Sequence, residues 1–191
     1  MKEPFLYRIC RPIIKLFTSF YFNPKIINKE FIPKDGKIVL AGNHTSIYDC
    51  ILLISCTKRT VHFLAKEELS HGLKKVIFKN MGIIFVNRKI HDKAALKSAI
   101  DVLNNDKVIG IFPEGTVSKT GEILPFKIGA VKMAAESGSM IVPFSISGKY
   151  KFRSRDLIIK FSEPIKIENL SDLSDQNENL RKIISSNRGE V

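Results

Sequence analysis

Tryptophan is absent from this chain and cysteine is scarce: its 191 residues include three Cys, at positions 10, 50 and 56. They form no Cys-x-x-Cys pair and no Cys/His set at metal-ligand spacing. That excludes a zinc module and points to free thiols in a reducing compartment. Long apolar runs are missing too, since none reaches the roughly 17 residues needed to cross a bilayer as a helix. No small-residue cleavage site follows the first stretch, so no secretory signal is expected. Acidic residues are in deficit, 19 against 31 Lys and Arg, for a net charge of +12. The excess implies an anionic partner, and nucleic acid, phospholipid and a phosphorylated small substrate all qualify. Nucleic acid fits least, because the charge is dispersed and the basic residues near the start face a dense apolar stripe.

What the chain does contain is enough for one packed domain. Its apolar fraction of 44%, with 13 Phe, supports a core of ordinary size. Residues 1–30 differ from the remainder. As a helix, they would align Phe5, Ile9, Ile13, Phe17 and Phe20 on one face, with Arg8, Arg11 and Lys15 opposite. This stretch carries six Lys or Arg against two Glu. Such a pattern suits a helix lying in a membrane interface, and equally one packing its apolar face on the domain. Pro12 predicts a kink or a break into two short helices.

From residue 31 onward short apolar strands alternate with helices. Strands are expected at 37–41, 61–65, 83–86, 108–112 and 140–145, with an edge strand near 157–161. Helices are expected at 47–56, 67–79, 91–104, 126–137 and 177–186. This alternation predicts an α/β fold, a mixed and largely parallel central sheet flanked by helices, preceded by a basic amphipathic helical segment. In such sheets ligands gather beyond the carboxyl ends of the strands.

Three polar groups fall at such ends. His44 follows the first strand within Asn43-His44-Thr45-Ser46-Ile47-Tyr48-Asp49, and the five-residue step lets Asp49 reach one imidazole nitrogen while leaving the other for a substrate proton. The same pair also fits a buried structural contact, or an Asp serving only as a helix-start charge. Arg88 ends Gly82-Ile83-Ile84-Phe85-Val86-Asn87-Arg88. Glu114 lies in Phe112-Pro113-Glu114-Gly115-Thr116-Val117-Ser118, where Pro113 stops the strand and Gly115 permits a turn or close ligand approach. Ser46, Cys50 and Ser118 lie in no Gly-x-Ser-x-Gly elbow, so the sequence marks none of them as a covalent nucleophile.

Taken together and in this order, these segments resemble the glycerolipid acyltransferase family, the bacterial 1-acyl-glycerol-3-phosphate acyltransferases in particular. Asn43 to Asp49 is similar to that family's first motif, Gly82 to Arg88 to its second and Phe112 to Ser118 to its third. Ile141-Val142-Pro143-Phe144 through Gly148 resembles the fourth, and Phe126-Lys127-Ile128-Gly129-Ala130 the segment after the third. The resemblance implies that His44 is a general base with Asp49 as its partner. It assigns Arg88, Glu114, Gly115 and Thr116 to the acceptor and its phosphate, and gives Asn43, Ser118, Lys127 and Pro143 supporting or acyl-site places. It also implies an acyl-CoA or acyl-carrier-protein donor, a lysophospholipid acceptor, no metal or other cofactor, and a peripheral position on the cytoplasmic side of the cell membrane. Sibling reactions on glycerol-3-phosphate or another lysolipid would carry the same motifs. One position departs: the family frequently has Arg between the Thr and Ser of the third motif, where this chain has Val117, and Lys119 or Lys127 is the nearby cation that could stand in.

Overall fold

In the computed structural model, which describes residues 4–69, 71–86, 93–167 and 171–189, the apolar runs around Asn43–Asp49 become the centre of one sheet. Its strands are β1 (Lys25–Ile27), β2 (Ile38–Gly42), β3 (Val61–Lys66), β4 (Ile84–Val86), β5 (Val108–Ile111), β6 (Met140–Ser147), β7 (Ile158–Phe161) and β8 (Ile165–Lys166). The order across the sheet is β1-β7-β6-β2-β5-β3-β4, and β8 pairs with the start of β6. The five strands from β6 to β4 run parallel, while β7 is antiparallel to β6. The sheet is therefore mixed and largely parallel, as expected. Ile158–Phe161 is not the edge strand that the sequence predicts, because Lys25–Ile27 pairs along its outer side. A three-residue strand with two exposed positions leaves almost no apolar alternation to read.

Helices cover both faces: α1 (Phe5–Phe17), α2 (Asp49–Cys56), α3 (Gly72–Asn80), α4 (Lys93–Leu103), α5 (Gly129–Ser137) and α6 (Leu173–Gly189). Successive strand residues point to opposite layers. Ile38 and Leu40 of β2 pack with Leu52, Leu53 and Phe63 beneath α1 and α2, whereas Val39 and Ala41 pack with Ala99, Val131, Ala134 and Leu180 beneath α4, α5 and α6. Burial on both sides explains why β2 reads as an unbroken apolar run.

Helix α1 passes Pro12 without a break and then widens into a single π-helical turn over Thr18–Phe22, which Asn23 closes in the left-handed region. Pro12 and Arg8 are both exposed, so the Arg8 carbonyl that loses its helical donor lies on the solvent side. The helix is fastened to the domain by its other side. Tyr7 is buried, its hydroxyl donates to the Arg59 carbonyl (3.3 Å) and accepts from the Val61 N–H (3.0 Å). Arg11 donates to the Thr57 carbonyl at 2.8 Å, so one member of the expected basic stripe is engaged with the domain. Phe5, Ile9, Ile13, Leu16, Phe17 and Phe20 are exposed. Among the described residues no helix is long and apolar enough to cross a membrane.

Candidate active site

Parallel pairing places the first and third motifs side by side. Ala41 of β2 is in register with Ile111 of β5, so His44 and Glu114, each three residues further on, leave the sheet together. They are joined there. The His44 N–H donates to Oε1 of Glu114 at 2.6 Å, and the His44 carbonyl accepts from the Ser118 N–H at 2.9 Å. Glu114 is buried and its second oxygen accepts from the Leu124 N–H at 2.9 Å. Both carboxylate oxygens thus serve backbone amides, and the histidine's main chain is held on both sides by the third motif.

On the other flank, Asn43 ties β2 to β6. Its Nδ2 donates to the Ile146 carbonyl (2.9 Å) and its Oδ1 accepts from the Ile146 N–H (2.7 Å), so the side chain imitates one more rung of the strand ladder. Just before it, Gly42 lies against the Phe144 ring, which an added Cβ would approach to 2.2 Å. Pro143 is buried within β6, opposite Ala41.

The His44 ring stacks on Phe112, with centroids 4.2 Å apart and planes 13° from parallel. Its Nδ1 lies 2.8 Å from Oδ2 of Asp49, which leaves Nε2 for a substrate. Asp49 is fully buried. Its Oδ2 also accepts from the N–H groups of Thr45 (2.6 Å) and Ser46 (2.9 Å), and its Oδ1 from the hydroxyls of Thr45 (3.1 Å) and Tyr150 (2.6 Å). Five donors converging on one carboxylate are the pattern an acceptor-only, ionised group requires. Sequence reasoning missed Tyr150. It lies 101 positions from Asp49, and a Tyr in a basic loop carries no local sign of such a bond. Burial, then the Asp49 charge and hydrogen bond, raise its ionisation far above that of an ordinary phenol, so it remains a donor.

The third motif supplies the rest of the rim. Gly115 has a φ of 71°, a left-handed conformation that favours glycine, and a Cβ built on it would lie 3.0 Å from the Lys127 Nζ. Lys127 therefore lies across the motif at Gly115, and its backbone N–H donates to the Pro113 carbonyl at 2.9 Å. Thr116 and Lys119 are exposed, Val117 is half-buried, and Ser118 is buried with no hydrogen-bond partner for its hydroxyl among the described residues. Arg88 and His91 lie outside the described residues. His62 is buried with its Nδ1 2.9 Å from the Gly82 carbonyl, and His71 is exposed at the start of α3.

Burial pushes the Cys50 and Cys56 thiols up to about 12, so neither is a thiolate near neutrality. Cys50 instead borders a cavity of about 420 Å³ between α1, α2 and α3, reached by Leu6, Ile14, Ile54, Phe63 and Ile77, all apolar. Phe63 lies parallel to Phe112 at 6.3 Å, and Phe112 in turn carries the His44 ring, so the cavity and the imidazole share one stack of rings.

Comparison with known proteins accords with this geometry. A family model described as "Acyltransferase" matches residues 23–147. The chain is 35% identical over 172 residues to the 1-acyl-sn-glycerol-3-phosphate acyltransferase of Borreliella burgdorferi, covering 83% of this chain and 67% of that one. It is 30% identical over 166 residues to the Bacillus subtilis protein of the same description, covering 84% and 82%. The crystal structure of the 1-acyl-sn-glycerophosphate acyltransferase from Thermotoga maritima superposes with a TM-score of 0.75 at 25% identity, over 93% of this chain and 78% of that one.

Proposed function

Because the chain belongs to the acyltransferase family, we propose that it moves a fatty acyl group from an acyl thioester to the free hydroxyl of 1-acyl-glycerol-3-phosphate, giving phosphatidic acid. The observation that carries the mechanism is the 2.8 Å contact between His44 and a buried carboxylate with five donors. A glycerol hydroxyl is too weak an acid to attack as an alkoxide, so its proton must leave as the new C–O bond forms. His44 Nε2 takes that proton, and a positioned base of this kind contributes about 10²- to 10⁴-fold. Asp49 holds the tautomer in which Nδ1 carries hydrogen and stabilises the imidazolium that results. The tetrahedral oxyanion then collapses and expels the thiolate, which recovers the proton. No enzyme ester is formed.

The acceptor's phosphate is read as held at the third motif, with Lys127 as the cation over Gly115 and Arg88 and Thr116 as further contacts. Glu114 acts there through the loop it fixes, since both its oxygens already serve amides. The apolar cavity beside Phe63 is read as the site of an acyl chain, its volume lying within the ordinary range of ligand pockets. A long-chain lysophospholipid resides in the bilayer, because about 15 methylenes at roughly 0.8 kcal/mol each favour it over water by about 12 kcal/mol. The exposed apolar side of α1 with its basic neighbours suits a peripheral membrane contact on the cytoplasmic side. Acyl-CoA and acyl-carrier protein are both donors of the required chemistry.

The test is phosphatidic acid formation by purified protein on anionic liposomes containing lysophosphatidic acid, with long-chain acyl-CoA and acyl-carrier protein supplied in parallel. Turnover with one donor that His44→Ala abolishes, without loss of folding, supports the reading. Silence with both donors from folded, membrane-bound protein overturns it.

A further inference from the structure

The loop that delivers Tyr150 has a second face. From Lys149 to Arg155 its residues run Lys149, Tyr150, Lys151, Phe152, Arg153, Ser154, Arg155, four cations followed by one exposed carboxylate, Asp156, whose Oδ1 lies 2.5 Å from the Ser154 hydroxyl. Tyr150 reaches Asp49, and the Ser154 hydroxyl, buried, donates to the Lys149 carbonyl at 2.7 Å, so the loop is pinned from within. Its outer residues are exposed, Phe152 by 58%. That ring has neighbours from elsewhere in the chain. It meets Tyr21 at 5.3 Å and Phe20 at 6.5 Å, both edge-on, and the Arg153 N–H donates to the Tyr21 carbonyl at 2.5 Å. Phe20 is 64% exposed. Phe22 continues the row to Tyr48 (5.3 Å) and Tyr150 (5.1 Å), and beside Tyr48 stands Ile47, 76% exposed and three residues from His44.

Three segments remote in sequence therefore build one ridge of rings, exposed at Phe20, Tyr21, Phe152 and Tyr48 and seated on the buried Phe22, that starts on the apolar side of α1 and ends at the turn carrying the imidazole. Four cations, Lys149, Lys151, Arg153 and Arg155, line it along the loop. We propose that this ridge docks on an anionic phospholipid bilayer, with the Lys149–Arg155 loop as a contact element in its own right beside α1, so that the His44 turn is held against the membrane surface. Aromatic rings at the boundary of headgroups and acyl chains, with cations at the level of the phosphates, are what such an interface selects. The sign of the loop is complementary to that surface, and continuity with Ile13, Leu16 and Phe17 makes the strip longer and more apolar than charge-mediated contact with an acidic protein requires. The proposal rests, for its purpose alone, on the reading of the chain as acting on a membrane-resident lysolipid.

The lack of tryptophan provides the test, since each substitution to Trp installs a sole indole. Full-length Phe152→Trp, Phe20→Trp and, on the opposite side of the sheet, Lys97→Trp are titrated with phosphatidylcholine vesicles containing phosphatidylglycerol and acyl-brominated lipid. The first two should shift to the blue and be quenched, more weakly at high salt, and Lys97→Trp should not change. Quenching of Phe20→Trp with an unchanged Phe152→Trp overturns the proposal. A Phe152→Trp that answers acyl-carrier protein but not vesicles overturns it in favour of a protein partner. Replacing Lys151, Arg153 and Arg155 together by Gln should weaken vesicle binding about a hundredfold, and undiminished binding counts against the loop. Turnover of a short-chain, monomeric lysophosphatidate is measured in parallel. Its absence in the unaltered chain strikes the enzymatic reading and leaves the fluorescence result standing.

Discussion

The Tyr150 hydroxyl lies 2.6 Å from Oδ1 of Asp49, the carboxylate oxygen that the His44 ring does not use. The two carboxylate oxygens thus have separate tasks: Oδ2 holds the imidazole and the turn amides, and Oδ1 is anchored by hydroxyls. Phe22 and Tyr48 pack on the Tyr150 ring and fix where its hydroxyl points.

Tyr150→Phe keeps those ring contacts and removes the donor. A hydrogen bond to a charged group is worth about 1.5 to 3 kcal/mol, so kcat should fall about tenfold or somewhat more, with KM for the lysolipid unchanged. Steady-state kinetics on mixed micelles check this, and a Tyr150→Phe change that costs nothing further in an Asp49→Asn background would place both residues on one path.

Glu114→Gln retains the shape but offers an NH₂ to one of two backbone N–H groups. A buried amide at His44 or Leu124 is then unsatisfied, which costs about 1 to 3 kcal/mol. The thermal midpoint should drop and kcat should drop with it, because the main chain of His44 loosens. A fall in acceptor affinity alone, with stability intact, would instead mean that the carboxylate meets the substrate directly.

Alkaline stability follows from the two buried thiols. Their pKa is raised from 9.0 to about 12 in the folded chain, so the unfolded chain loses its thiol protons first as pH rises. The stabilisation is complete below pH 9 and is lost progressively between about 9 and 12. Urea unfolding across this range should show a falling midpoint, and Cys56→Ala, although less stable at neutrality, should show a shallower fall.

Filling the cavity should change which chains are used. Ile77 borders it from α3 and is itself exposed enough to tolerate substitution. Ile77→Phe should raise KM for a long acyl donor several-fold and leave a short one little affected. Competition between palmitoyl and octanoyl donors in one reaction reads the ratio directly.

Most of the sheet was legible because its strands are β-branched, buried on both faces and punctuated by Gly and Pro. The paired positions of His44 and Glu114 were legible as well, since each follows a strand by a fixed step. What was hidden depended on contacts between distant segments. β1 and β8 are too short to show alternation, and β1 is identified only by its pairing with β7. Glu114 looked like a ligand-facing carboxylate at a strand end, and only the register of β2 and β5 shows that backbone amides occupy it. Arg11 looked like one of three equivalent surface cations, yet its Nε bond to the Thr57 carbonyl depends on where α2 ends. Tyr150 had no signal at all.

The attachment of α1 bears on how this protein opens. Tyr7 bridges the Arg59 carbonyl and the Val61 amide, so lifting the helix removes the acceptor that protects the first amide of β3. In hydrogen-exchange terms, the Val61 N–H should therefore exchange together with the amides of α1, through the same subglobal opening. Side chains of α1 also wall the cavity, so that opening would drain it of any hydrocarbon. A chain cut after residue 22 is accordingly not this enzyme without its membrane contact but a protein with an uncovered core. Occupancy of the cavity, conversely, should slow exchange at Val61.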